Sequence, residues 1–370
     1  MAEPLKSHFD ERIPRAIARQ VKAAWPQFRA KEFVADALDG YDSLELMDRG
    51  RHIARVLARH LPADYPRSLE ILMRSIEERR PGDQVEGGMA SFFFLPHTNF
   101  VAEFGIEHFE ASMDALYKLT QIFTAEFSIR PFIERYERES LALLGKWALD
   151  PDAHVRRLVS EGTRPRLPWA GRLRSFQKDP APVLTLLEQL KDDSELYVRR
   201  SVANNLNDIG KDHPEVLITV ARRWMKDATD ERRVLVRHSL RSLVKQGNAE
   251  ALAILGFGKV ATVAPENIEI TPKRARNGGK VTVTFDARNT SRRAQRVILD
   301  LRIHFIKANG KSSPKVFKLK SVNLPAGKTD TFRKTISLAN LTTRKHYRGK
   351  HMVDVLINGR IVPLGSFVVT

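Results

Sequence analysis

Apolar residues recur at helical spacing over the first two thirds of the chain. Between Leu44 and Leu61 they return every three or four positions, with arginine and histidine between them, which is typical of an amphipathic helix. Asp42 directly precedes Ser43 and predicts that this helix starts there. The same pattern predicts further helices over residues 8–25, 66–79, 108–127, 132–149, 153–160, 181–190, 195–207, 214–226, 230–246 and 249–256.

Residues 87–100 depart from this pattern. The segment GGMASFFFLPHTNF is rich in glycine, then aromatic, and is then interrupted by Pro96. Glycine and proline favour turns and end helices, whereas a run of phenylalanine favours burial. We therefore expect a turn here that leads into the buried core.

The last hundred residues follow the two-residue period of β-strands. Turn residues separate the strands, for example at Asn309–Gly310 and Asn358–Gly359. About seven short strands with regular turns indicate an immunoglobulin-like β-sandwich. We expect the change from helices to strands near residues 256–265. The predicted strands cover residues 280–289, 296–307, 315–322, 330–338 and 351–359.

A short motif repeats in the helical part. The sequence VRR at 155–157 returns at 198–200 and as VRH at 236–238, with acidic residues before each copy. Intervals of about 40 residues are typical of HEAT-like helical pairs, which stack into a solenoid. The fold class is therefore multidomain α then β: a HEAT-like α-solenoid in residues 1–258 and an immunoglobulin-like β-sandwich in residues 266–370. For Arg156 and Arg199 the alternative is a structural role, in which they bind the aspartates across repeats.

The positive charge of the chain is concentrated in the predicted sandwich. The formal net charge is +18, and residues 259–370 hold 23 Lys+Arg against 6 Asp+Glu. Such segregation favours a polyanionic partner, most commonly nucleic acid, although a charge that merely keeps the protein soluble is the alternative. Two basic runs beside predicted turns, residues 273–276 and 292–296, are suited to contact DNA phosphates.

Composition excludes several classes of site. The chain has no cysteine, which excludes disulfides, thiolate metal sites and cysteine nucleophiles. Its eleven histidines show no metal-ligand spacing, and the common nucleotide, metalloprotease and serine-hydrolase motifs are missing. We therefore expect no cofactor and no metal. The interleaved charges of the N-terminus and the lack of long apolar runs predict a cytoplasmic protein with no membrane partner.

One arginine-rich loop stands out as a binding element. Residues 161–174, EGTRPRLPWAGRLR, place Trp169 among Arg164 and Arg166, with two prolines that disfavour a regular helix. A tryptophan in this setting suits stacking on a nucleotide, and its cationic neighbours suit phosphates. The alternative is a tryptophan packed under its own loop. The other tryptophans, Trp25, Trp147 and Trp224, lie on predicted helices and are expected in the core.

Three acidic residues lie at predicted helix ends. Glu126 precedes a junction marked by Ser128 and Pro131, Glu161 closes a helix, and Asp208 comes just before Gly210. A carboxylate near a helix C-terminus is disfavoured by about 0.3–1 kcal/mol, so three such placements hint at a use other than stability.

The third acid also belongs to a regular series along its helix. Arg200, Asn204 and Asp208 are spaced four residues apart and predict one shared helix face. A basic group, an amide and an acid would then line one surface together.

The motifs EGTRPRLPWAGRL and VRRSVANNLNDIGKDHP resemble those of the HEAT-like-repeat DNA alkylation-repair glycosylases. The immunoglobulin-like tail resembles the AlkC branch, since the AlkD branch lacks it. The resemblance implies a monofunctional glycosylase that excises cationic N3-alkylated bases, chiefly 3-methyladenine, from double-stranded DNA and works as a monomer. It implies catalytic roles for Glu126, Glu161 and Asp208 and a lesion contact for Trp169. Further expected DNA or lesion contacts are Arg164, Arg166, Arg200, Asn204, Arg292, Arg293 and Arg296.

The implied chemistry is consistent with these residue types. Alkylation at N3 puts a positive charge on adenine and makes the base a good leaving group, so no strong general acid is needed. Carboxylates would stabilise the oxocarbenium-like sugar and orient water, as in glycoside hydrolysis. Two alternatives remain: a non-enzymatic HEAT-like scaffold that binds nucleic acid or an acidic protein, and a protein-interaction scaffold that its basic tail localises.

Overall fold

Helices precede strands in the computed structural model, which describes residues 5–77, 90–257, 262–340 and 345–370. The last helix ends at Ile254 and the first strand begins at Val263, so the predicted order of α-helical and β-sandwich regions is confirmed. The sixteen α-helices of these residues are α1 Arg12–Ala24, α2 Ala30–Leu38, α3 Leu46–His60, α4 Tyr65–Glu77, α5 Leu95–Phe104, α6 Phe109–Thr120, α7 Arg130–Arg135, α8 Glu137–Trp147, α9 Ala153–Gly162, α10 Arg174–Lys178, α11 Ala181–Leu190, α12 Leu196–Asp212, α13 Pro214–Met225, α14 Asp230–Ser239, α15 Arg241–Lys245 and α16 Ala249–Ile254.

The chain forms two compact units, residues 1–209 and 210–370. The first contains α1 to α11 and most of α12. The second contains the remaining helices and all the strands. Among the described residues, no helix is long and apolar enough to cross a membrane.

Several helix boundaries differ from those predicted. Helix α6 ends at Thr120, seven residues early, and residues 121–129 form turns instead. The periodicity misleads here because Phe123 and Phe127 are four residues apart but line a cleft rather than a helix face. Helix α3 begins at Leu46 instead of near Asp42. The predicted helices over 132–149 and 230–246 are each divided in two, at Tyr136 and Leu240.

Contrary to the prediction, Pro96 does not mark a turn but lies in a helix. Helix α5 starts one residue earlier, at Leu95, and Pro96 occupies its first turn. A proline is tolerated there because its missing N–H has no partner within the helix. The expected burial is confirmed, since Phe93, Phe94 and Leu95 are fully buried. Residues 87–89 of this segment lie outside the described residues.

Gly210 does not end α12 either, so Asp208 lies inside the helix and not at its C-terminus. The glycine has a packing role: a Cβ at this position would come within 2.3 Å of Cδ2 of Leu217. Helix α13 therefore approaches α12 closely because residue 210 has no side chain.

The repeat motif forms an ion pair between adjacent repeats. Arg156, in the first copy, donates from Nε to Oδ2 of Asp193 at 2.6 Å, and Asp193 precedes the second copy. The Asp193 side chain is only 3% exposed. Arg199 instead donates to the backbone carbonyls of Asp193 and Ser194. The structural interpretation of the motif is therefore confirmed for Arg156, while Arg199 binds the main chain of its own repeat.

The strands form two sheets with an apolar core between them. The sheet orders are β1-β3-β6 and β2-β8-β7-β4-β5, and alternating residues such as Val281, Val283 and Phe285 point into the core. The predicted turn at Asn358–Gly359 has both φ angles positive, 47° and 78°, as a tight two-residue hairpin requires. The strands are β1 Val263–Thr271, β2 Arg274–Ala275, β3 Lys280–Asn289, β4 Gln295–Ile306, β5 Ser312–Leu324, β6 Thr329–Ser337, β7 Gly349–Ile357 and β8 Arg360–Val369.

The ion pair between the repeats predicts a measurable loss of stability. In an Asp193→Ala variant, the half-buried Arg156 would lose its carboxylate, which should lower the free energy of unfolding by roughly 1–3 kcal/mol. The matched control is Glu11→Ala, which removes the exposed partner of Arg15 and should change stability by less than about 1 kcal/mol. Urea denaturation of both variants is the measurement, and equal effects would contradict a specific role for the repeat ion pair.

Candidate active site

A cleft of about 380 Å³ lies in the first unit, beside the C-terminal end of α9. Four chain segments contribute to it: the segment before α5, the turn before α7, helix α9 with the loop that follows it, and the start of α12. Aromatic rings form much of its wall, and charged side chains form the rest. The lining residues are Phe92, Phe123, Thr124, Glu126, Phe127, Arg157, Glu161, Arg164, Leu167, Pro168, Trp169 and Tyr197.

Glu126 is presented by the turn between α6 and α7. Its Oε2 accepts hydrogen bonds from Thr124 Oγ1 at 2.7 Å and from Arg157 Nη1 at 2.5 Å. The other carboxylate oxygen, Oε1, has no hydrogen-bond partner among the described residues. Glu126 therefore lies in the cleft wall with one oxygen held and the other available to accept a bond.

Glu161 lies in the last turn of α9, where the sequence analysis placed it. Both of its oxygens are engaged: Oε1 accepts from Arg164 Nη1 at 2.6 Å, and Oε2 accepts from Ser201 Oγ at 2.6 Å. Ser201, on α12, in turn accepts a bond from Ser160. The carboxylate is thus fixed in position by one residue of the loop after α9 and one residue of α12.

Asp208 is fully buried on α12 and does not line the cleft. Its Oδ2 accepts a hydrogen bond from Arg164 Nε at 2.8 Å. Since Arg164 also binds Glu161, one guanidinium joins the second and third acids. Asp208 therefore reaches the cleft through Arg164, and the predicted catalytic role of Asp208 remains a prediction.

Two guanidiniums lie among the three carboxylates. Burial works against their charge, but the neighbouring carboxylates outweigh it and hold the pKa of both Arg157 and Arg164 above the usual value. The guanidinium of Arg157 also stacks over the ring of Tyr197, at 4.8 Å from its centroid. Three carboxylates and two guanidiniums leave this cluster with one formal negative charge, beside an aromatic wall.

Trp169 projects from the loop after α9. Its side chain is 66% exposed and its φ angle is +65°, a left-handed conformation that is rare outside glycine. The alternative interpretation, a tryptophan packed under its own loop, is therefore wrong. Trp147 and Trp224 are buried as predicted, whereas Trp25 is only partly buried at the end of α1.

The residues of the first unit that were predicted to contact DNA have different surroundings. Arg164 is buried within the acidic cluster, because its guanidinium binds two carboxylates, and this placement disfavours a phosphate contact. Arg166 is partly buried. Along α12, exposure falls from Arg200, which is exposed, through Asn204, which is partly buried, to Asp208. Their predicted contacts with DNA stay predictions.

In the second unit, the loop between β3 and β4 presents Arg292 and Arg293 to solvent. Asn289, the last residue of β3, orders this loop because its Nδ2 donates to the carbonyls of Arg293 and Leu324. Arg296 packs its guanidinium over the ring of Phe257, at 5.0 Å from the centroid. Arg292 and Arg293 are thus better placed than Arg296 to contact a phosphate. The phosphate contacts of all three arginines stay predictions.

The sequence analysis missed two groups of site residues. Arg157 has the same place in its VRR motif as Arg200, so the repeat itself carried a usable signal. The aromatic wall of Tyr197 and the phenylalanines carried none, because residues far apart in sequence form it only after folding. Among the described residues, no group of three or more acidic or histidine side chains is arranged to hold a metal ion.

Known proteins resemble this chain over its whole length. The solved structure of the Pseudomonas fluorescens alkylpurine DNA glycosylase AlkC, bound to DNA containing an abasic site analog, has a TM-score of 0.91, 38% identity and complete coverage of both chains. A Bacillus subtilis (strain 168) protein described as "Uncharacterized protein YhaZ" is 35% identical over 96% of this chain and 97% of its own. The family profile "Uncharacterised protein YhaZ, C-terminal Ig-like domain" matches residues 264–370. The chain belongs to the AlkC family.

Proposed function

We propose that this protein is a DNA glycosylase of alkylation repair. It would hydrolyse the N-glycosidic bond of cationic N3-alkylated bases, chiefly 3-methyladenine, and leave an intact abasic site. The observation that supports this most is the cluster of Glu126, Glu161 and Asp208 with Arg157 and Arg164, which carries one formal negative charge in an aromatic cleft. The AlkC structure, a glycosylase bound to DNA, supports the same reaction class.

The charge of the cluster suits the reaction step. As the bond from C1′ to the base nitrogen breaks, its electron pair neutralises the cationic base, and positive charge develops on the sugar. A fixed carboxylate stabilises that charge more strongly in the transition state than in the substrate, where the charge lies on the base. Glu161 suits this role because both of its oxygens are held in place by Arg164 and Ser201.

Glu126 suits the role of orienting water. Its Oε1 lacks a partner among the described residues, so it can accept a hydrogen bond from a water molecule in the cleft. The water oxygen would bond to C1′ and its proton would pass by way of Glu126 to solvent. Arg157 supports this arrangement by holding Oε2 of the same carboxylate at 2.5 Å.

Asp208 would act through Arg164. Because Asp208 is fully buried, its charge and hydrogen bond fix the guanidinium that holds Glu161. Without Asp208, Arg164 would keep its bond to Glu161 but lose its second carboxylate, and Glu161 would be held less firmly. We therefore assign Asp208 to positioning, while Glu126 and Glu161 face the reacting nucleotide.

The basic sandwich would bind the backbone of double-stranded DNA next to the lesion, with the protein acting as a monomer. This part of the proposal rests on the 23 Lys+Arg against 6 Asp+Glu in residues 259–370 and on the exposed Arg292 and Arg293. Phosphate contacts of this kind supply affinity without reading sequence. Trp169 would stack against the lesion from the loop after α9.

A scaffold that binds nucleic acid without chemistry is the alternative. It would account for the charge and the helical repeats. It would not account for three acids gathered beside a cleft, because carboxylates repel DNA phosphates and weaken binding. Methylated duplex DNA distinguishes the two, since only a glycosylase releases free 3-methyladenine from it.

The acids are expected to affect rate more than binding. Glu161→Gln keeps the shape of the side chain and removes its charge, which should cost about 10²–10³ in the single-turnover rate of 3-methyladenine release. Glu126→Gln and Asp208→Asn should act in the same direction. Affinity for an abasic-site duplex should stay the same or rise slightly, because a repulsive charge is removed.

The control for this experiment is Glu11→Gln, an exposed acid just before α1 and outside the cleft, which should leave the rate unchanged. Thermal denaturation establishes that each variant is folded. If all three folded site variants release base at the wild-type rate, the proposed mechanism is wrong.

Trp169→Ala should weaken both binding and rate. The exposed indole would provide a stacking surface worth about 1–3 kcal/mol, so affinity for lesion DNA should fall roughly 5-fold to 150-fold. Trp169→Phe keeps an aromatic face and should retain part of that affinity. Fluorescence anisotropy with a labelled lesion duplex measures the affinity of both variants. An alanine variant with wild-type affinity would show that Trp169 does not contact the lesion.

The exposed arginines of the sandwich should set the salt dependence of DNA binding. An Arg292→Gln/Arg293→Gln variant should show a slope of log K against log salt that is shallower by about 0.9 for each phosphate that the protein no longer neutralises. Arg222→Gln serves as control because that guanidinium already binds Glu250. An unchanged slope in the double variant would mean that this loop does not contact the backbone.

A further inference from the structure

Arg130 is a buried cation whose guanidinium donates to backbone carbonyls and to no carboxylate among the described residues. It is the first residue of α7, is 4% exposed, and forms no ion pair among the described residues. Burial lowers its pKa to about 10. A buried charge is costly unless hydrogen bonds compensate it, so the bonds that Arg130 makes identify what it holds.

All the hydrogen bonds of Arg130 go to one loop. Nη1 donates to the carbonyls of Gly162 and Arg164, each at 2.9 Å, and Nη2 donates to the carbonyl of Gly171 at 2.6 Å. These carbonyls lie at the two ends of the loop that carries Trp169. One planar guanidinium therefore ties both ends of the loop together.

The loop needs the hydrogen bonds from Arg130 because its own backbone is strained and the backbone hydrogen bonds within it are long. Trp169 has a φ of +65°, a left-handed conformation that is strained for a non-glycine residue. Backbone hydrogen bonds between Ala170 and Leu167 and between Arg164 and Glu161 are both long, at 3.3 Å. Strained conformations of this kind persist only where the surroundings hold them.

A second cavity offers space for the indole of Trp169 if the hydrogen bonds from Arg130 are lost. Trp169 lines both the cleft of the acids and a neighbouring cavity of about 230 Å³, which Arg130 and Gly171 also line. The side chain thus stands between two spaces. A relaxed loop would let the indole leave the cleft wall for the neighbouring cavity.

We propose that Arg130 is a positioning residue that holds the loop of Trp169, and with it the indole, at the wall of the catalytic cleft. This inference rests on the proposed function, since the cleft is taken as the site of base excision. Arg130 itself touches no substrate and acts through Trp169.

A second buried arginine provides a matched control. Arg49 is 6% exposed and also donates to backbone carbonyls, among them those of Lys6, Phe9 and Leu44. It lies in α3, does not line the cleft, and stacks over Tyr41. Loss of either arginine removes a buried guanidinium that donates hydrogen bonds to backbone carbonyls. Only Arg130 donates to the loop of Trp169.

The test is a double-mutant cycle with the full-length protein. Arg130→Met should slow single-turnover release of 3-methyladenine about 10-fold to 100-fold, as expected for a misplaced binding group. In a Trp169→Ala background the same substitution should change the rate less than about twofold, because its effect passes through the indole. Arg49→Met should leave the rate unchanged in both backgrounds. Equal losses from Arg130→Met in both backgrounds would overturn the proposal.

Hydrogen exchange gives a readout that does not depend on activity. Amides of residues 163–171 should exchange faster in Arg130→Met than in the wild type or in Arg49→Met, and unchanged exchange would overturn the proposal. If the wild type releases no base, the proposed function fails while the exchange result still tests Arg130. Should Arg130→Met not fold, Arg130→Lys replaces it in both measurements, since one ammonium cannot reproduce the planar fork that spans the loop.

Discussion

The site depends on one guanidinium that two carboxylates share. Arg164 binds Glu161 of α9 and Asp208 of α12, so it joins adjacent helices of the first unit at the cleft. Removing either acid would leave the buried guanidinium with one carboxylate instead of two, and breaking a buried ion pair costs up to about 3–5 kcal/mol in general. The arrangement is therefore costly to build, and under the proposed function it serves to hold Glu161 still while charge develops nearby.

The surroundings of this cluster strengthen the effect of its single net negative charge. Aromatic rings line much of the cleft and the three carboxylates are buried, and a charge acts more strongly where it is shielded from bulk water. Arg157 and Arg164 hold the carboxylates by short bonds, so little reorganisation is needed when a cationic sugar forms. The remaining negative charge matches a single positive charge, which suits a lesion that is already cationic.

The sequence predicted the order of domains and the three acids, but not how they are connected. Periodicity is local, so it identified α9 and five of the eight described strands, β3 to β7. It failed where apolar residues line a cleft, as Phe123 and Phe127 do. Asp208 was predicted at a helix end because Gly210 follows it, yet that glycine serves close packing against Leu217. The tie from Arg130 to the loop of Trp169 joins residues 32 to 41 positions apart and has no local signature.

Under the proposed function, the cleft should bind positive charge at the sugar better than it binds a neutral sugar. The direct test compares the affinity of the full-length protein for two duplexes, one with a neutral tetrahydrofuran abasic analogue and one with a protonated pyrrolidine analogue. We predict that the cationic analogue binds about 10²-fold more tightly, as expected for a mimic of the transition state, and that Glu161→Gln removes most of this preference. Equal affinity of the wild-type protein for both duplexes would contradict the account.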